Sequence, residues 1–137
     1  MSKFHLEIVT PERLFFEGDV ERVIVKGREG DLAILKDHSP LATPLRISKV
    51  RILNDGEERI ASAVRGYITV MENKVTIVTD AAEWPEEIDT DRAEAAARRA
   101  RERLEKARLQ KEAQIDLIAT EAALKRALTR LDVAGRR

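Results

Sequence analysis

Neither glycine nor proline occurs between Glu86 and Ala134. The run is rich in alanine, leucine, glutamate and arginine, all strong helix formers, and it predicts helix along most of its length. Asp89 or Thr90 suits the N-cap, with Asp91 in the first turn where the helix dipole favours a negative charge. Gly135 supplies the stop. Ala93, Ala96, Ala97, Ala100, Leu104 and Ala107 share one helical face, and Leu117, Leu124, Leu128 and Leu131 make a second stripe. A small-residue stripe and a bulky one suit two helices packed as a hairpin. A continuous helix of roughly 45 residues, about 65–70 Å long at 1.5 Å per residue, fits the same pattern. The polar stretch Leu109–Gln110–Lys111–Glu112 does not fix a turn. An element with two packings of similar free energy is what a conformational switch requires.

Ahead of Pro85 the apolar period falls from near four to near two. Phe4, Leu6 and Ile8 alternate with His5, Glu7 and Val9, the mark of a half-buried strand. Val20 to Val25, Asp31 to Leu35, Ile47 to Ile52, Ile60 to Val64, Tyr67 to Met71 and Val75 to Thr79 continue the series. Turn signals separate them at Gly27 to Gly30, at Asn54-Asp55-Gly56 and at Glu72-Asn73-Lys74. Frequent β-branched residues in short, regularly spaced strands predict an antiparallel sandwich or barrel. The expected organisation is therefore α+β, with a β domain over 1–85 and a helical arm over 86–137.

Charge is divided along the same line. Residues 1–88 carry 12 Lys+Arg against 16 Asp+Glu, and residues 89–137 carry 13 against 9, so a net charge of zero conceals an acidic body and a basic arm. Such an arm suits its own body, an acidic partner or a phosphate ligand. The balance is too modest to favour general nucleic-acid binding, and aromatics at 4% offer little stacking surface for single strands. The chain has no cysteine, which excludes disulfides and thiolate metal sites. No apolar stretch approaches the ~18–20 residues of a membrane span, so the expectation is no direct insertion. The alternating N-terminal residues do not resemble a signal peptide.

Three stretches resemble the epsilon subunit family of the F-type ATP synthase. Val9-Thr10-Pro11 with Glu17 and Val23 is the first. Gly30-Asp31-Leu32-Ala33-Ile34-Leu35, followed by His38-Ser39-Pro40-Leu41 and Pro44-Leu45, is the second. Ile88-Asp89-Thr90-Asp91-Arg92-Ala93 is the third. They run in order along the whole chain. The resemblance implies a β-sandwich of about ten strands followed by a two-helix hairpin. It implies a central-stalk rotor subunit without chemistry of its own, seated against the gamma subunit and the c-ring. Asp31, His38, Ser39 and Pro40 would meet those partners. The arm would fold against the sandwich or extend along gamma into the alpha/beta catalytic head and inhibit ATP hydrolysis. The implied location is peripheral, on the cytoplasmic face of the cell membrane. Lys36-Asp37 stands where relatives often have a glycine.

The same resemblance assigns ATP, as a regulatory ligand and not a prosthetic group, to Glu83, Ile88, Asp89, Arg92, Ala93, Arg99, Arg126 and Arg130. Physical spacing supports part of that set. Arg92 and Arg99 are seven apart and lie about 20° from alignment on a helix. Arg126 and Arg130 are four apart on one face. In a hairpin, two pairs of guanidiniums could converge, and their planar forks suit phosphate oxygens. The blander reading makes Asp89 a cap and the arginines a solvated face with pairs such as Glu102–Lys106. The arginines and lysine from Arg98 through Lys111 would, in an extended arm, meet acidic loops of the head.

No Gly-rich phosphate loop or Gly-x-Ser-x-Gly elbow is present, so nothing marks the chain as a P-loop NTPase or serine hydrolase. His5 and His38, far apart, make a poor metal pair, and His5 is expected on a strand surface. The competing readings are a nucleic-acid adaptor using the basic arm and a plain coiled-coil adaptor.

Overall fold

The computed structural model describes residues 2–110 and 116–135. Two compact units divide it, Met1–Glu83 and Trp84–Arg137.

The first unit holds ten strands: β1 (Phe4–Val9), β2 (Leu14–Val20), β3 (Arg22–Gly27), β4 (Gly30–Ile34), β5 (Leu41–Leu45), β6 (Ser48–Asn54), β7 (Glu57–Ala63), β8 (Gly66–Met71), β9 (Lys74–Thr79) and β10 (Ala82–Glu83). They pair in the order β10-β7-β6-β3-β5-β8-β9-β1-β2, with β4 also on β3. Pairing is antiparallel except between β1 and β9, which run parallel. The alternation read from sequence fills the interior. Phe4, Leu6 and Ile8 of β1 are buried, with Val23 and Val25, Val50 and Ile52, Ile68 and Val70, and Val75 and Ile77. Each such side chain contributes about 1.5–3 kcal/mol through burial.

Two of these strands escape a period-two reading. β2 is interrupted by Gly18 and kinked by an irregular register at Ile8/Val9, where Val9 pairs with Leu14. β5 contains Pro44, which lacks a ladder donor. The strand tolerates it because its edge toward β3 is tied by one register pair, Gly27–Leu45.

The turns follow their residues. Asp55 (φ 51°) and Gly56 (φ 79°) link β6 to β7, and Glu72 (φ 48°) and Asn73 (φ 63°) link β8 to β9. Two successive positive φ values match the twist of a tight hairpin. Thr10 is buried, and its hydroxyl and amide both bond to the Arg13 backbone to shape the β1–β2 connection. Gly66 faces Thr79, whose hydroxyl lies within hydrogen-bond reach of the carbonyls of Val64, Arg65 and Ala81.

The second unit starts with a single 3-10 turn, Pro85–Glu87, in which Glu87 accepts from the Trp84 amide at 2.9 Å. Helices α1 (Thr90–Gln110) and α2 (Leu117–Val133) follow and pack on each other as a hairpin. Asp89 is the N-cap of α1: its Oδ1 accepts from the Arg92 amide at 3.1 Å. Asp116 caps α2, accepting from the Ala119 amide at 3.0 Å. Gly135, at φ 84°, ends α2 in the left-handed conformation that glycine permits.

The link between α1 and α2 falls between Gln110 and Leu117, and Lys111 and Glu112 of the candidate turn lie outside the described residues. Ala93, Ala97, Ala100 and Ala107 are buried, in keeping with the small-residue stripe. The leucine stripe is not the buried face of α2. Leu117 is 50% exposed and Leu128 37%, while Thr120, Ala127 and Val133 are buried. Small residues on both helices allow close approach, which leaves the longer leucines at the margins. Along α1, the ion pair that forms joins Glu105 to Arg108 at 2.6 Å.

Candidate functional site

A cavity of about 390 Å³ opens between α1 and α2. Arg99 and Arg103, one turn apart on α1, reach it from one side, and Arg126 and Arg130, one turn apart on α2, from the other. Alanines of both helices, Ala96 and Ala123 among them, form its floor. Among the described residues Asp116 is the single carboxylate of the lining, and it is engaged in capping α2. The volume suits a small organic ligand. Four guanidiniums facing one space would repel one another when empty, and a polyanion would relieve that repulsion while taking several charge-assisted hydrogen bonds.

Of the eight residues assigned to ATP by resemblance, Arg99, Arg126 and Arg130 line this cavity together. The other five are placed elsewhere. Glu83 ends β10. Ile88 and Ala93 are buried, Asp89 caps α1, and Arg92 is exposed in its first turn. Arg103 was not in that set, although its four-residue spacing from Arg99 mirrors Arg126 and Arg130.

The residues assigned to partner contact lie in and after β4. Asp31 is exposed in β4; Ser39 and Pro40 are exposed, and His38 is half-buried. The His38 amide donates to the Leu35 carbonyl at 3.2 Å, and its ring Nδ1 lies 2.8 Å from the Ser39 carbonyl.

The solvent-facing side of β5, β8, β9, β1 and β2 carries a pattern invisible without the register. Pro44 pairs with Tyr67, Tyr67 with Val78, Val78 with Val9 and Val9 with Leu14. Tyr67 is 60% exposed, Leu14 53% and Val78 51%. One apolar residue from each of five neighbouring strands thus forms a continuous row, half-buried at Val9 and exposed at the other four. Such a row on a soluble surface marks an interaction site. Further along the same strands the face turns charged. His5 stands opposite Asp19, and Glu7 opposite Glu17. The His5 ring lies 3.2 Å from Asp19, 3.3 Å from Glu17 and 3.4 Å from Glu7, and these carboxylates, Asp19 foremost, hold its pKa above the ordinary imidazole value. No helix among the described residues is long and apolar enough to cross a membrane.

Comparison with known proteins accounts for this two-part plan. Residues 3–85 match the model of the ATP synthase delta/epsilon chain β-sandwich domain, and residues 86–135 that of its long α-helix domain. An ATP synthase epsilon chain of Caldanaerobacter subterraneus subsp. tengcongensis is 49% identical over 134 residues, covering 97% of this chain and 94% of its own length. The ATP synthase epsilon chain of Halalkalibacterium halodurans is 42% identical over 136 residues, covering 99% and 100%. In fold, the chain is similar to one in the Euglena gracilis mitochondrial ATP synthase OSCP/F1/c-ring structure. The TM-score is 0.80 at 19% identity, covering 99% of this chain and 83% of that one. With two family models tiling nearly its whole length and relatives this similar from end to end, the chain belongs to the ATP synthase delta/epsilon chain family.

Proposed function

We propose that this epsilon chain is a non-catalytic, regulatory subunit of the central stalk of an F-type ATP synthase. In this reading the β unit docks on gamma and the c-ring, the helical unit restrains ATP hydrolysis, and ATP favours the folded helical hairpin. The solved structures it is similar to in fold belong to an OSCP/F1/c-ring assembly of Euglena gracilis and a central stalk/c-ring assembly of Tetrahymena thermophila, which supports the choice of partners. The complex would hold the subunit at the cytoplasmic face of the membrane without insertion of its own.

The observation that carries the regulatory part is the convergence of Arg99, Arg103, Arg126 and Arg130 on one cavity between two helices. A triphosphate gripped from both sides binds the hairpin and not an extended arm, whose two pairs of guanidiniums are drawn apart. A ligand shifts an equilibrium by its differential affinity for the two states. At a free concentration of about 100 times its Kd, it adds about 2.7 kcal/mol to the state it binds. An alanine floor leaves room for a planar base beside the phosphates.

The docking part is supported by the exposed row from Pro44 to Leu14, which offers gamma a dry strip across five strands. Asp31, His38, Ser39 and Pro40 are the proposed contacts to the stalk and ring. Calorimetric titration of ATP into the full chain tests the nucleotide role, together with an interhelix distance probe read with and without ATP. Saturable binding that shortens or fixes the distance is expected. No saturable heat at millimolar ATP overturns it.

A further inference from the structure

We propose that His5, Glu7 and Glu17 form a binding site for a divalent transition-metal ion such as zinc on the solvent-facing side of β1 and β2, with Asp19 as its positioning residue. The site belongs to the β unit and does not rest on the nucleotide reading.

Alternation along β1 sends His5 and Glu7 to the same side, and the antiparallel register sets Glu17 opposite Glu7 and Asp19 opposite His5. His5 Nε2 lies 3.4 Å from Glu7 Oε1 and 3.3 Å from Glu17 Oε2, and one donor atom from each residue falls within 4.8 Å of the others. Zinc takes nitrogen and oxygen ligands at ~2.0–2.2 Å in a tetrahedron, whose edges are then about 3.4 Å. The two separations from Nε2 match those edges, and the pair of glutamate oxygens lies within 4.8 Å.

The imidazole sets this group apart from ordinary surface acids. His5 Nδ1 faces Asp19 Oδ1 at 3.2 Å, which leaves Nε2 as the nitrogen aimed between the two glutamates. A carboxylate behind the histidine fixes its ring and raises its basicity toward a metal. One imidazole and two carboxylates favour a first-row transition metal over calcium or magnesium, which prefer all-oxygen sites. The register also argues for a cation. Like charges directly opposite across a strand pair are destabilising, and a metal between Glu7 and Glu17 turns that repulsion into attraction. In binding, the metal takes the place of any proton on Nε2, which leaves to solvent. Lys74 is the competitor: its Nζ lies 3.8 Å from Glu7 Oε1 and turns away when the metal enters. The remaining coordination positions face solvent and take water or a ligand from a partner.

The test is zinc titration of the chelator-treated full chain by calorimetry, with folding followed by circular dichroism. One zinc per chain is expected. His5→Ala should abolish it, Asp19→Asn should weaken it about 10–100-fold, and Lys74→Ala should tighten it. No stoichiometric binding by the unmodified chain, or binding that His5→Ala leaves unchanged, overturns the proposal. Should His5→Ala unfold the hairpin, the exposed Lys74→Ala decides, and an affinity no tighter than that of the unmodified chain overturns it.

Discussion

Asp37 and Asn73 lock two turns together: the Asp37 amide donates to Asn73 Oδ1 at 2.7 Å, and Asn73 Nδ2 donates back to Asp37 Oδ1 at 3.1 Å. Both residues sit at positive φ, 65° and 63°. Asparagine and aspartate tolerate that conformation better than other residues with a side chain. Asn73→Ala removes both bonds and places a residue unsuited to the turn, so a loss of about 2 kcal/mol in urea unfolding is expected. Asp37→Gly loses one bond but relieves the backbone, and should stay within about 1 kcal/mol of the unmodified chain. The reverse ranking would refute the idea that backbone strain at Asp37 is offset by its partner.

Gly66 admits no side chain. A β-carbon there would overlap the Val78 carbonyl oxygen and lie 2.8 Å from Thr79 Cα. Both obstacles are backbone in the β8–β9 pair, so relief requires moving the ladder itself. Gly66→Ala should cost at least about 3 kcal/mol, at the upper end of overpacking effects. Thermal unfolding and soluble yield measure it.

The arginine cavity separates two accounts of ATP binding. Charge-assisted hydrogen bonds contribute about 1.5–3 kcal/mol each, so Arg99→Ala and Arg126→Ala should each weaken ATP binding roughly tenfold to a hundredfold. Arg92→Ala, outside the lining, should do less. Calorimetry that ranked Arg92 above Arg126 would move the phosphates to the start of α1.

The proposed function gives docking and restraint to different units, so they should be lost separately. Tyr67→Asp sets a charge within the apolar row, and co-purification with gamma should fall sharply. Deletion of residues 89–137 should preserve co-purification and raise ATP hydrolysis by the assembled complex. Unchanged hydrolysis in the truncated complex would count against an inhibitory arm.

His5 links stability to pH. Asp19, with Glu17 and Glu7, raises its folded-state pKa above the ordinary 6.5. The stabilisation is complete below that ordinary value and is lost as pH rises through the folded-state value. Unfolding free energy measured with chelator present should therefore decline across that window, and Asp19→Asn should flatten the decline. An NMR titration placing the His5 midpoint at or below 6.5 would refute it.

What the sequence discloses depends on how local each signal is. β1, β3, β6, β8 and β9 follow from alternation because each has one buried face, while in β7 Ala61, Ser62 and Ala63 are buried in succession. β2 and β5 do not, because Gly18 and Pro44 break their pattern and only neighbouring strands explain why they are tolerated. The helical content follows from composition and caps, but the choice between a hairpin and one continuous helix does not, and the leucines mislead: two small-residue faces pack closest, and bulk goes to the edges. Arg126 and Arg130 are legible through their four-residue spacing, as Arg99 with Arg103 is. The apolar row and the His5 group are not legible, since both depend on a register that shifts at Ile8/Val9.

The parallel seat of β1 beside β9 has a consequence for biosynthesis. Residues 4–9 leave the ribosome well before their partner strand, Lys74–Thr79, which is translated some seventy residues later. Until then the opening strand can form only its hairpin with β2, and a two-stranded hairpin is at best marginally stable in water. The β unit therefore closes late and nearly at once, and the helical unit is made after it. On the proposed division of roles, a nascent subunit would acquire its attachment surface before it acquires the means to restrain the motor.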